Sequence, residues 1–434
     1  MRKIVPDTVA RQSHEAILAR RKSTPINGAE IDLKNPDLYI TENYQSVFAR
    51  LRVEQPVYWN AEAGSSGFWA ITRYEDVVWV LQDPETFSAA VENGGMRIFN
   101  AQDVSVEPRP HLLSMDPPQH TQLRRALQPL FAPQRVAAME STIRSRMTRL
   151  IDAIAEAGEA EFVSSVAAPL TLGLLTDLLD VPESDSEKLL RWSNAFIGDD
   201  DEDYQASLAF RQKCVAEMDG YALKLLAERN GGRGTDFVSL MSRVEIDNRT
   251  IDLETYTQNF GAFLIAGNET TRHSLSAGVL ALSLFPAEKK KILDDRSLIP
   301  SAVKEVIRWA TPLMHVRRTA MRDVEIGGGL IKKGDKVVVW YNSANRDEKM
   351  WDSPLKFDVT RFTDPGTTSH LAFGHGPHYC LGWRMAELQV RVALEELLSR
   401  LPDMRATQAF RRLRSNFIGG IKQLPVVYTP QRTE

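Results

Sequence analysis

Cys380 has a setting that no other residue of this 434-residue chain shares. It lies in the run FGHGPHYCLG, Phe373 to Gly382, where Gly374, Gly376 and Pro377 crowd together and exclude both helix and strand. Beyond it, Leu381, Met385, Leu388 and Val392 recur at the spacing of one helix face. The thiol therefore falls at a loop-to-helix junction, where unpaired backbone N–H groups and the positive end of the helix favour an anion. Such a position is expected to lower a thiol pKa from its ordinary ~8.5. A rigid loop presenting a thiolate, with small residues that let a large group approach, suits an axial ligand to haem iron. A cysteine simply packed at a helix start would share part of this pattern.

The second stretch with chemistry in it runs from about Asp252 to Phe285, LETYTQNFGAFLIAGNETTRHSLSAGVLALSLF. It is apolar on nearly all sides, which predicts a helix buried along its length. Asn268, Glu269, Arg272 and His273 interrupt it midway, so it is not a membrane span. A carboxylate at the centre of such a helix is costly unless it is paired or useful. Gly267 removes a side chain, and a threonine hydroxyl there can bond back to a carbonyl one turn earlier. That would open the helix locally and admit a water. The structural alternative is an ion pair of Glu269 with Arg272 or His273 beside a helix-kinking threonine.

The elements that must hold these two stretches can be read in order. Residues 36–60 give a short helix and then a strand; Gly67–Tyr74 alternates as a second strand, and Glu75–Ser88 reads as a helix. Residues 89–113 have no clean periodicity, and a long irregular segment inside a compact domain is functional or disordered. Asp116 and Pro117 mark a helix start, and His120 and Arg124, four apart, share its face. From 134 to 245 the pattern is helical with polar breaks; Asp199–Asp203 reads as a solvated acidic loop, Asn230–Asp236 as a turn, and Cys214 as a packed thiol. Glu305 and Arg308 lie three apart on a helix ended by Pro312, and Leu313–Asp347 reads as strands around a triple-glycine turn.

Composition bounds the class. A hydrophobic content of 43%, a charged content of 25% and a net charge of −4 describe a soluble globular chain and argue against a nucleic-acid binder. Cys214 and Cys380 are the only two cysteines, too few for a disulfide scaffold or a four-cysteine cluster, and a cytoplasmic setting is expected. Residues 1–39 read as a polar lead-in with no signal-type or membrane-length apolar run, and residues 40–434 as a single two-lobed domain.

Phe373, Gly376, His378, Cys380 and Gly382 match F-x-x-G-x-H-x-C-x-G, and on these residues the chain resembles the cytochrome P450 family of haem-thiolate monooxygenases, soluble bacterial type. Ala266-Gly267-Asn268-Glu269-Thr270-Thr271 is similar to that family's oxygen-activation segment, and Glu305, Arg308 and Arg361 to its structural charge cluster. The resemblance covers about residues 40–428 and implies a mainly α fold with small β-sheets: a helical prism holding haem b between the long central helix and the cysteine-loop helix. It implies Cys380 as the axial iron ligand, Glu269 and Thr270 as the proton-delivering pair, and haem contacts at His120, Arg124, Ala266, Arg318, Phe373 and His378, with Arg317 an alternative to Arg318. It puts the substrate beside Met96, Ile98, Phe99, Ala262, Phe263, Leu313, Met314, Val316, Phe417 and Ile418. The implied reaction inserts one oxygen atom from O2 into a C–H bond of a bulky hydrophobic molecule, a steroid or terpenoid being favoured over an alkyl chain or aromatic compound. Electrons would come from a separate ferredoxin and its NAD(P)H reductase, docking near Arg124, Arg125, Arg384 and Arg391 unless those are ordinary solvated arginines. A peroxide-driven peroxygenase and a non-enzymatic haem sensor are the rival readings, and the acid–alcohol pair at Glu269–Thr270 argues against both.

Overall fold

The apolar central stretch folds as one helix, Leu253–Leu284, of 32 residues. Asp252 starts it by accepting the Thr255 N–H on its side chain, which satisfies one of the amides that a helix start leaves open. The helix runs unbroken through Gly267–Thr270, so the expected local opening is not formed. The computed structural model describes residues 3–4, 31–41, 43–62, 64–98, 109–198, 200–204, 207–229 and 232–431. Phe99, one of the expected substrate contacts, lies outside the described residues, as does most of the lead-in.

Among the helices that pack on this central helix are Ala168–Leu179, the roof helix Ser186–Ile197, Leu208–Arg229, Ile299–Ala310, and the cysteine helix Trp383–Arg400. Leu264, Leu275, Val303, Val306, Leu388 and Val392 belong to one buried cluster between them. Each such side chain contributes roughly 1.5–3 kcal/mol by leaving water. Gly278 lets two helices approach closely, since a Cβ there would lie 3.0 Å from Val306.

Four expected strands and one unexpected one form a five-stranded sheet: β1 (Val57–Asn60), β2 (Phe68–Ile71), β3 (Phe87–Ser88), β4 (His315–Ala320) and β5 (Lys336–Trp340), in the order β1-β2-β5-β4-β3. The helix read over Glu75–Ser88 ends at Gln82 and leaves Phe87–Ser88 to pair with β4, while the strands at the triple-glycine turn pair in a separate sheet. The early hairpin β1/β2 is antiparallel, and β5 joins β2 in parallel. In β4, Val316 pairs with Val339 and Arg318 with Val337. Alternation along that strand puts Val316 and Arg318 on one face and Arg317 on the other.

One expectation holds only in part. Within the acidic run, Glu202 and Asp203 are exposed as read, but Asp201 is not: it is 0% exposed and is gripped by Lys422 Nζ at 2.6 and 2.8 Å. Lys422 lies on a C-terminal hairpin, Arg411–Arg412 with Ile421–Gln423, that the local sequence does not connect to residue 201. Cys214 is packed in the core, as read.

Candidate functional site

The loop bearing Cys380 is shaped by two glycines with positive φ, Gly374 at 73° and Gly376 at 68°. At Gly376 a Cβ would lie 2.3 Å from the Leu81 carbonyl oxygen, so the loop cannot take another residue there. The Cys380 N–H donates to the Phe373 carbonyl at 2.8 Å and folds the run back on itself. Three residues later the cysteine helix begins at Trp383. The thiol is half-buried and faces a cavity of about 250 Å³ (space open to the centre of a water-sized sphere). Burial pushes this thiol above its ordinary value, and the opposing pull of the Gly382 N–H and Arg124 does not outweigh it. That corrects the expected depression: the wall excludes water, and desolvation beats one amide and one cation. A metal cation at the sulfur reverses the balance, because a coordinating thiol is deprotonated outright.

Four basic side chains from three separate elements face the same cavity: His120 and Arg124 from the helix Gln119–Leu127, Arg318 from β4, and His378 from the cysteine loop. His120 is 1% exposed, yet neither of its ring nitrogens has a partner among the described residues, nor has Nε2 of His378. The two rings lie 4.0 Å apart between centroids. Burial, then the guanidinium charges of Arg124 and Arg318, push the His120 pKa down to about 4. Burial and Arg318 likewise hold His378 well below its ordinary value. Two neutral imidazoles and two guanidiniums thus surround a space that, among the described residues, is lined by no carboxylate. A broad apolar group with two carboxylates and a central metal fits this donor set and its unused hydrogen-bonding atoms, which is the chemistry of haem b. Arg318, not Arg317, lines the cavity; Arg317 turns to the opposite face of β4, with Nη2 at 3.4 Å from the Asn93 carbonyl. Ala266 and Phe373 line the cavity as well.

Across from the thiol, the Thr270 hydroxyl donates to the Ala266 carbonyl at 3.0 Å, the back-bond expected from sequence. Thr270 lines the cavity; Glu269 does not. One residue along a helix is a turn of about 100°, and it points Glu269 at the roof helix instead. There the carboxylate is 0% exposed, accepts from Ser193 Oγ at 2.7 Å and Asn268 Nδ2 at 2.9 Å, forms a close ion pair with Arg272, and lies 3.4 Å from His273 Nε2. Burial raises its pKa, but Arg272, His273 and Ser193 together outweigh that and hold it below the carboxylate range. The structure brings Thr270 to the cavity and keeps Glu269 behind its wall.

Of the expected substrate contacts, Met96, Ala262, Phe263, Leu313 and Val316 line the cavity. Met314 does not: it alternates away from Leu313 and packs, 2% exposed, with Tyr39 and Trp340. Ile98 is buried in that same cluster, while Phe417 and Ile418 sit behind the wall and brace Leu313 through an Ile418–Leu313 bridge. Sequence reading missed Leu113, Leu174, Leu175, Leu178, Phe237 and Asn259. The apolar run LTLGLLTDLLDV announced a buried helix without saying which neighbour it buries against.

The charge cluster forms beneath the site. Glu305 receives Arg308 Nε at 2.7 Å and Nη2 at 2.8 Å, Arg361 Nε at 3.1 Å and the Asp358 N–H at 2.9 Å. Glu305 and Arg308 are both 0% exposed. The four arginines read as a partner-docking patch separate into three groups. Arg124 faces the cavity, Arg391 is paired with Glu140 and Glu395, and Arg125 and Arg384 are exposed.

This geometry has close relatives. The family model described as Cytochrome P450 matches residues 210–402. Linalool 8-monooxygenase of Pseudomonas putida is 41% identical over 406 residues, 92% of this chain and 99% of its own length. Methyl-branched lipid omega-hydroxylase of Mycobacterium tuberculosis is 34% identical over 430 residues, 95% of this chain and 99% of its own length. Among solved structures, a Mycobacterium marinum cytochrome P450 in complex with pseudoionone matches with a TM-score of 0.83 at 33% identity, covering 92% of this chain and 98% of that one. The mainly helical fold, the cysteine loop and these relatives agree: the chain belongs to the cytochrome P450 family of haem b-dependent monooxygenases.

Proposed function

We propose that this chain hydroxylates a chain-terminal C–H bond of a neutral, branched hydrophobic molecule of the isoprenoid or steroid type, with electrons from a separate ferredoxin. The observation that carries this reading is the convergence of the Cys380 thiol, the Thr270 hydroxyl and the four basic side chains on one apolar cavity. When haem is bound, Cys380 would ligate its iron, His120, Arg124, Arg318 and His378 would hold its two carboxylates, and Ala266 and Phe373 would pack against it. The haem, when bound, supplies the oxygen-activating redox chemistry. Thr270 holds a water beside the reacting position and passes it a proton, and Glu269, once released from Arg272, replenishes that proton from the roof side. Met96, Ala262, Phe263, Leu313 and Val316 exclude bulk water and orient the substrate.

A neutral substrate follows from the wall. Among the described residues, and apart from the four groups assigned to haem, the lining offers neutral polar side chains such as Asn259, Thr271 and Ser274, so a buried substrate carboxylate would find no charged partner among them. The positions in the relatives' names, carbon 8 of linalool and the omega carbon of a branched lipid, are chain ends, which supports terminal attack. Exposed Arg125 and Arg384 on the cysteine side suit an acidic ferredoxin. Among the described residues no helix is long and apolar enough to cross a membrane, and we place the protein in the cytoplasm. The test has two arms. The ferrous–CO difference spectrum of wild type and Cys380→Ala reads the ligand; a histidine-type band in intact wild type refutes it. Spectral titration with branched acyclic isoprenoids, steroids, unbranched alkyl acids and simple aromatics reads the substrate; response only to the last two classes refutes the isoprenoid assignment.

A further inference from the structure

One member of the acidic run that sequence reading left on the surface, Asp201, is fastened in the interior, and what it fastens bears on Glu269. Two elements meet the central helix at its middle. The roof helix reaches it through Ser193, whose hydroxyl donates to Glu269 at 2.7 Å, and through Asn194, whose Oδ1 lies 3.4 and 3.5 Å from Arg272. The C-terminal hairpin reaches it through Ile421, whose N–H donates to His273 Nδ1 at 3.2 Å. Gly420 makes that approach possible, since a Cβ there would lie 2.6 Å from the His273 ring.

Roof helix and hairpin are in turn joined to each other. Asp201, four residues beyond the end of the roof helix, takes Lys422 Nζ on both oxygens and the Arg414 N–H at 2.8 Å. Lys422 is 8% exposed in its side chain and also meets Asp203 at 2.8 Å, while Asp203 meets Arg411 at 2.9 Å. The turn between is closed tightly: the Tyr204 N–H donates to the Asp201 carbonyl at 3.0 Å, and Gly198 leaves room for Tyr204. Ile197 and Tyr204 then pack with Phe417 and Ile418, the residues that brace the cavity wall.

We infer that Asp201 and Lys422 are positioning residues for proton delivery. Their buried pair holds the end of the roof helix against the hairpin, and so keeps Ser193 and Asn194 in register with Glu269 and Arg272. A buried pair is suited to this because removing one partner strands the other charge, so the turn must lift to solvate it. The inference rests on the proton-relay role proposed above for Glu269. Its test separates the two readings.

Amide hydrogen exchange on the haem-loaded enzyme compares wild type, Lys422→Met and Lys422→Arg. The methionine variant should exchange roughly a hundredfold or more faster across residues 186–204, the scale of a lost buried pair, with haem content and the ferrous–CO band unchanged. Product formed per NAD(P)H consumed should fall several-fold and the solvent isotope effect on turnover should change. The arginine variant should restore all three. Asp201→Asn keeps an acceptor for the Arg414 N–H and removes only charge, so it serves if the methionine variant does not fold. Unchanged exchange in the roof helix overturns the fastening, whatever Glu269 does. Faster exchange with unchanged coupling and isotope effect overturns the link to proton delivery while leaving the haem assignment intact.

Discussion

Replacing Arg272 with methionine should turn a pH-independent element of stability into a pH-dependent one. In the wild type, Glu269 is fully buried and held by Arg272, Ser193, Asn268 and His273, with its pKa below the ordinary carboxylate value. A depressed carboxyl contributes stability that is present above its unfolded pKa of ~4.3 and lost only as pH falls through the folded value, so Glu269 adds no slope between pH 5 and 8. There the wild-type slope comes from buried histidines such as His120 and His378, which stay neutral when folded and lose stability as pH falls below ~6.5. Without Arg272, a buried carboxylate keeps two neutral hydrogen bonds and no permanent cation. Leaving it ionised would cost about 3–5 kcal/mol. Taking up a proton avoids that cost, whether the proton settles on Glu269 or on His273, whose pKa Arg272 helps to depress. The folded variant then binds one proton more than the folded wild type, and its stability relative to wild type falls as pH rises, by about 1.4 kcal/mol per unit. The variant should lie near wild type at pH 5 and about 3 kcal/mol below it at pH 7. Urea unfolding of the haem-loaded enzyme by far-UV circular dichroism, with an unchanged m value, measures this. Parallel stability curves for the two proteins would refute the claim that Arg272 is what keeps the carboxyl ionised.

Three other outcomes follow from the geometry. Arg308→Met should lower stability by about 3–5 kcal/mol, because Glu305 is fully buried and two backbone carbonyls, at Asn345 and Pro354, lose their donor; haem retention on a desalting column reads the same loss. Leu313→Phe and Met314→Phe should separate cleanly although they are neighbours. The first narrows the cavity and changes which substrates give a spectral response, whereas the second overpacks a core where a Cβ at Gly419 would already lie 3.2 Å from Met314, and costs about 1–3 kcal/mol of stability with selectivity kept. Thr270→Ala should bind haem normally yet divert a large share of its reducing equivalents to hydrogen peroxide; full coupling in that variant would remove Thr270 from proton delivery.

The cysteine loop was legible because its constraints are local. Glycines at 374 and 376, the proline beside them and the helix stripe beyond set the backbone path without reference to the rest of the chain. The central helix was legible for the same reason, as were the charge triad of Glu305, Arg308 and Arg361 and the strand carrying Arg318. Sequence order alone could not say which of two adjacent arginines faces the cavity; the pairing of β4 with β5 decided it, because alternation fixes a face only once a register is chosen. The same alternation sent Leu313 inward and Met314 outward.

What only the tertiary structure decided concerns groups whose meaning depends on distant partners. Glu269 reads from its segment as a group beside the reacting centre, yet Ser193, 76 residues away, and the neighbouring Arg272 hold it behind the wall. Asp201 reads as solvent-facing, yet Lys422, 221 residues on, buries it. The Cys380 thiol reads as depressed, yet burial raises it. In each case the residue type is local information, while the free energy of its charge depends on what the fold packs around it.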